Sequence, residues 1–151
     1  MRREQVALVA FRGSGASVIL PPTSSLVRAK RSLAGLPGGG ATPLAAGIDA
    51  AAAVADQVRR GGRSPLVTLL TDARANAARS GAHGRQQAEE DAIASARLFR
   101  ALNVPALLVD TSPRPNPFAQ RLAHEMCARY LPLPYAEASA VACAVRSAAD
   151  P

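Results

Sequence analysis

Two aspartates and a threonine stand where this sequence could do chemistry. Asp72 closes the apolar run 66–71, and Asp110 closes a second run over 105–110. Thr42 stands directly before Pro43, at the head of a long alanine-rich segment. A carboxylate at a strand tip and a hydroxyl at a helix start are hard oxygen donors of the kind that suit Mg2+ or Mn2+. Two such ligands do not complete an octahedral site, so water would have to supply the rest. Either carboxylate could instead act as a general base, and Asp72 also reads as a turn or cap residue. Other constellations are weaker. The stretch Gly38-Gly39-Gly40-Ala41-Thr42-Pro43 lacks the Gly-Lys-Ser/Thr of a phosphate-binding loop and follows a helix rather than a strand. Ser112 has no histidine in its neighbourhood and no Gly-x-Ser-x-Gly around it. His83 in a polar loop and His124 in a helical stretch read as surface residues. Cys127 and Cys143 form no Cys-x-x-Cys pair and read as buried, reduced thiols.

The elements that must position these residues follow from hydrophobic periodicity. Residues 4–11 form a near-continuous apolar run, and 17–20 read as its returning hairpin partner, stopped by Pro21-Pro22. Ser24 or Ser25 caps a short helix through Leu33, with Leu26, Ala29 and Leu33 on its inner face. Thr42 as cap and Pro43 as first helical residue open the next helix. Its inward stripe is Leu44, Ile48, Ala51, Ala55 and Val58, and Gly61-Gly62 end it. After the strand at 66–71 comes a polar loop of about fifteen residues, longer than a simple connection needs. Glu89-Glu90-Asp91 sit in the first turn of a helix to Leu102, with Ile93, Ala96, Phe99 and Leu102 inward and Asn103 just past its end. The strand ending at Asp110, a Pro-rich loop over 111–117, a helix through Ala128, a strand at 129–132 and a final helix complete the chain. Strands alternating with helices imply an α/β domain with a mostly parallel sheet and one antiparallel edge strand. Its ligands belong beyond the carboxyl ends of the strands, where Asp72 and Asp110 lie.

Composition narrows the function classes. With 151 residues the chain is one domain in size. The best apolar stretch, 41–58, is interrupted by Asp49 and Asp56, so no membrane span is expected. The opening Met1-Arg2-Arg3 runs straight into a strand, which reads as no secretory signal and sets a cytoplasmic default. The net charge of +7 comes from arginine, Lys30 being the one lysine. Such a charge admits nucleic acid or an acidic protein, but scattered arginines and 3% aromatics disfavour base stacking.

Three phrases together carry a resemblance: 38–47 (Gly-Gly-Gly-Ala-Thr-Pro-Leu-Ala-Ala-Gly), 69–76 (Leu-Leu-Thr-Asp-Ala-Arg-Ala-Asn) and 109–113 (Val-Asp-Thr-Ser-Pro). With the opening run 5–11, they resemble the C-terminal von Willebrand factor A (integrin I-like) domain of the magnesium chelatase D subunit, over nearly the whole chain. The resemblance implies a Rossmann-like fold and a metal-ion-dependent adhesion site, with Thr42 and Asp72 as ligands of Mg2+. The family's first loop, Asp-x-Ser-x-Ser after its first strand, has no counterpart here, and the chain begins where the family's second strand begins. Residues 1–151 are thus expected to be a partial domain lacking the first strand and helix. Either 4–11 and 66–71 close on each other, or a gap remains between them. The resemblance further implies an interaction platform that is non-catalytic alone. Its partners would be an ATPase I subunit and a porphyrin-binding H subunit, in the ATP-driven, ligase-class complex that inserts Mg2+ into protoporphyrin IX for chlorophyll or bacteriochlorophyll biosynthesis. Arg74, Arg79 and Arg85 would assist by attracting an acidic partner. Still open are a different adhesion-type protein of this superfamily and an unrelated α/β enzyme using Asp72 or Asp110.

Overall fold

The computed structural model describes residues 4–13, 15–35, 42–75, 84–132 and 138–149. The glycines at 38–40, Arg79 and His83 lie outside them. Strands β1 (Val6–Arg12) and β2 (Gly15–Thr23) form an antiparallel hairpin. Strands β3 (Val67–Thr71), β4 (Ala106–Asp110) and β5 (Arg129–Pro132) form a parallel sheet in that order. Among the described residues no hydrogen bonds join β1 to β3, so of the two expected arrangements the gapped one holds.

The parallel sheet is built around β4, all five of whose residues are buried. Alternation sends Leu108 into the main core and Leu107 and Val109 to the opposite face. Helices α2 (Leu44–Arg60), α3 (Arg85–Ala101) and α4 (Pro117–Met126) supply the main core, through Leu44, Ile48, Ala92, Ala96, Phe99 and Leu122. Helix α5 (Ala138–Ala149) covers the other face at Leu107 and Val109 through Ala144 and Val145. That cover does not reach β3. Leu70, in register with Val109, is 54% exposed although it lies in an apolar run.

Several local expectations need correction. Pro21-Pro22 do not stop the hairpin; β2 runs through them to Thr23. An edge strand can spare the two missing N–H groups, and the register shifts between the Val6–Thr23 and Leu8–Leu20 pairs, where the prolines fall. Ser25 does cap helix α1 (Leu26–Ala34), accepting a hydrogen bond from Arg28 N, but only Ala29 of the expected inner face is buried. Leu26 and Leu33 point outward. Thr42 is not the cap of α2: Pro43 takes that position without a side-chain bond, while the Thr42 carbonyl accepts from Leu44 N. The acidic triplet 89–91 lies one turn into α3, which begins earlier, at Arg85. Asn103 does adopt the left-handed conformation just past α3, at φ 54°. Both cysteines are free thiols, as expected, but exposed rather than buried.

Candidate functional site

The site grows from the carboxyl ends of β3 and β4. Thr71, the last residue of β3, is buried, and its Oγ1 accepts from Ala73 N at 2.9 Å. That short bond helps wind the chain into a turn with Ala73 at φ 57°. Asp72 follows with its carboxylate partly exposed. Its Oδ1 accepts from Arg74 N at 3.1 Å, and its Oδ2 lies 3.7 Å from Arg74 Nε. Its carbonyl oxygen accepts from Ser112 Oγ and Asn116 Nδ2, both at 3.1 Å, which pins this turn to the loop after β4.

Asp110 is the hub of that loop. It is 1% exposed, and its carboxylate accepts four hydrogen bonds: Ser112 N and Ser112 Oγ on Oδ1, Asn116 N and Tyr130 OH on Oδ2. Burial alone would push its pKa up, but the bonds from Ser112, Tyr130 and Asn116 outweigh that and hold it below the usual carboxylate range. A carboxylate so enclosed and so fully engaged is a structural anchor, not a general base. The sequence placed Asp110 at a strand tip; it did not reveal that Tyr130 of β5 reaches it. Asn116 had a readable signal, since an Asn before Pro117 is a helix-start pair, and its Oδ1 does cap α4 through Phe118 N.

Tyr130 answers in kind. Burial first, and then the bond to Asp110, push its phenol up to about 12. An unfolded phenol ionises near pH 10. Because the folded value is the higher one, this stabilisation is whole below about pH 10 and is lost as pH rises toward about 12. Urea unfolding at stepwise rising pH should show a loss on the order of 2 kcal/mol across that window. Tyr130→Phe should be less stable at neutral pH and lack this alkaline component. An identical alkaline slope in both proteins would count against the Tyr130–Asp110 coupling.

Helix packing sets the remaining walls. Arg59, near the end of α2, donates through Nη1 to the carbonyl of Leu102, just past α3. The two 17-residue helices pack on each other and end side by side, so they start at one end of the domain. Thr42 precedes α2 at that end, and Arg85 opens α3 there. A cleft of about 320 Å3 lies beside the β3 tip, lined by Ala73, Arg74, Ala75, Arg85 and Asn116.

Magnesium fits this donor set only in part. Thr42 and Asp72 are oxygen donors of the right hardness, but no group of three or more His, Cys, Asp or Glu side chains gathers to hold a metal among the described residues. Asp72 also has the Arg74 guanidinium beside it. The described residues therefore form no complete metal site. His124 is exposed, and no helix of the described residues is long and apolar enough to cross a membrane.

Comparison with known proteins gives a consistent picture. Residues 1–75 match the family described as von Willebrand factor type A domain. The chain is 53% identical over 137 residues to the magnesium-chelatase 60 kDa subunit of Cereibacter sphaeroides, covering 91% of this chain and 25% of that protein. It is 47% identical over 140 residues to the 60 kDa subunit of Rhodobacter capsulatus, covering 93% and 25%. To the magnesium-chelatase 67 kDa subunit of Chlorobaculum tepidum it is 34% identical over 151 residues, covering 93% and 24%. The chain thus spans about a quarter of the length of these relatives. Among solved structures, the SpRpn10 VWA domain superposes with a TM-score of 0.60 at 12% identity, over 85% of this chain and 64% of that one, a likeness of fold alone.

Proposed function

The chain belongs to the von Willebrand factor type A domains, in the form carried by magnesium-chelatase subunits, and from that premise we propose that it is a docking module of a magnesium-chelatase complex. The observation that carries this reading is its likeness to chelatase subunits along nearly its whole length. In this reading Mg2+ enters protoporphyrin IX elsewhere in the complex, with ATP consumed by an ATPase I subunit and the porphyrin held by an H subunit, in a cytoplasmic setting. This chain supplies a rigid face at the carboxyl edge of its sheet, on which those subunits assemble. The saturated carboxylate of Asp110 supports docking over an α/β enzyme that would use it as a base.

The same reading assigns Thr42 and Asp72 as two ligands of a divalent ion at that face, the remaining ligands coming from outside residues 1–151 and from water. The common starting end of α2 and α3 supports it, since Thr42 leads into one helix and the chain after Asp72 into the other. Two protein oxygens are too few for tight binding. Calorimetric titration of residues 1–151 with Mg2+ should therefore show no micromolar affinity. A micromolar site would mean that other ligands hold the ion.

The functional test is a chimaera in which this chain replaces the homologous quarter of a relative's 60 kDa subunit. It should assemble with the ATPase and porphyrin-binding subunits and support Mg2+ insertion. Asp72→Ala, at a half-exposed position whose loss costs the core little, should weaken assembly by about tenfold or more while leaving the circular dichroism spectrum unchanged. Normal assembly of Asp72→Ala would remove the metal-linked part of the reading. Failure of the unmutated chimaera to assemble, though folded, would remove the docking reading itself.

A further inference from the structure

The cleft beside Asp72 carries two guanidinium groups, and their setting differs from that of the other surface arginines. Arg74 stands between Ala73 and Ala75, each only 2% exposed, on a turn fixed by three sets of bonds. These are Ala73 N to Thr71 Oγ1, Arg74 N to Asp72 Oδ1, and the Ser112 and Asn116 side chains to the Asp72 carbonyl. The backbone beneath Arg74 is therefore rigid, while its side chain is 74% exposed. Arg85 shares the cleft from the first residue of α3, with its side chain 79% exposed.

Two carboxylates of the described residues lie beside them. Asp72 Oδ2 lies 3.7 Å from Arg74 Nε, beyond hydrogen-bond range, and Glu89 Oε1 accepts from Arg85 Nε at 2.9 Å. Among the described residues both contacts use Nε, and a guanidinium carries five N–H donors in a planar fork suited to a carboxylate. The Asn116 amide is already committed to Asp72 O and Phe118 N and serves as wall. Two alanines are among its described lining residues, and about 320 Å3 is at the small end of ligand pockets, room for a side chain rather than a cofactor. Two planar forks in such a space match a carboxylate, which they can bind bidentately.

We infer that the Arg74–Arg85 cleft binds an acidic side chain of a partner protein directly, without a metal ion. This rests on the docking reading above and gives that face a contact of its own, independent of Mg2+. An acidic segment is favoured over nucleic acid because none of the described residues lining the cleft is aromatic, so none of them would stack a base.

The test is fluorescence anisotropy of a labelled oligoglutamate peptide titrated with residues 1–151 at low salt, with EDTA present throughout. Saturable binding is expected. Arg74→Ala/Arg85→Ala should weaken it about tenfold or more. Arg28→Ala/Arg31→Ala, which removes the same charge from exposed positions on α1, should change it less than about threefold. Arg74→Lys/Arg85→Lys should fall between, keeping charge but losing the fork. Circular dichroism of each variant confirms an unchanged fold. Absence of binding in EDTA, an equal loss in the α1 variant, or equally tight and Arg74-dependent binding of an oligothymidylate of the same charge would each overturn the inference. Since the peptide assay uses neither Mg2+ nor the other subunits, its failure leaves the chimaera result standing, and the reverse also holds.

Discussion

Replacing Asp110 by alanine is expected to lower the unfolding free energy by on the order of 3 kcal/mol or more, among the largest effects of any polar substitution in this chain. Four donors converge on one buried carboxylate, and hydrogen bonds to a charged group contribute about 1.5–3 kcal/mol each before the cost of burying the charge is set against them. Removing the acceptor leaves the N–H groups of Ser112 and Asn116 without their carboxylate partner and strips the Tyr130 hydroxyl of its charged one. For a chain of this size the melting temperature should fall by roughly 6–12 °C. Ser112→Ala, which deletes one donor and its second bond to the Asp72 carbonyl, should cost less. The pH profile offers an independent check. The folded pKa of Asp110 lies below its unfolded value, so its stabilisation is present above about pH 4 and fades as pH falls through the folded value. Asp110→Asn should lose that acid-side component. A melting shift below about 2 °C for Asp110→Ala would show that the two loops are held by something else.

Gly47→Val is expected to cost about 2–3 kcal/mol, although a glycine inside a helix is ordinarily the weaker residue. A Cβ at position 47 would lie 2.6 Å from both Cγ and Cδ1 of Phe11 and 3.1 Å from its Cβ. The obstacle is the root of a ring rather than the far end of a flexible chain, so relief requires moving β1 or α2. That contact has unusual weight here, because among the described residues β1 shares no hydrogen bonds with the parallel sheet. The hairpin is mounted on the domain partly through this ring lying against a bare stretch of α2. A double-mutant cycle with Phe11→Ala isolates the effect: the two changes together should cost less than their sum, because the shortened side chain vacates the space that the introduced valine needs. Strict additivity would place the damage in the helix itself.

The candidate site was partly legible in the sequence. Asp72 and Asp110 stand out because an apolar run that ends in a carboxylate marks a strand tip, and tips of parallel strands face the ligand side. The division of labour between them was not legible. One is partly open and the other is enclosed, and that difference comes from Tyr130, twenty positions downstream of Asp110 and brought beside it only by the β4–β5 pairing. Arg74 and Arg85 already stood out as basic residues after Asp72, but that the two line one cleft follows only from the fold. The misassigned cap at Thr42 has a local cause: the sequence signature of a cap and the geometry of a preceding tight turn draw on the same residue types.

Local pattern along the chain was enough for the alternation of strands and helices, the helix ends at Gly61 and Asn103, and the apolar faces of α2 and α3. These follow from short-range rules: periodicity fixes which face is buried, and residues with special backbone freedom fix where an element stops. Long-range packing was needed to set the hairpin apart from the parallel sheet, to leave Leu70 uncovered, and to turn Leu26 and Leu33 outward. Burial of a residue depends on whether another element arrives to cover it, and that depends on contacts between segments far apart in the chain. The same is true of charge: a carboxylate becomes an anchor or a docking group according to how many donors the fold brings to it.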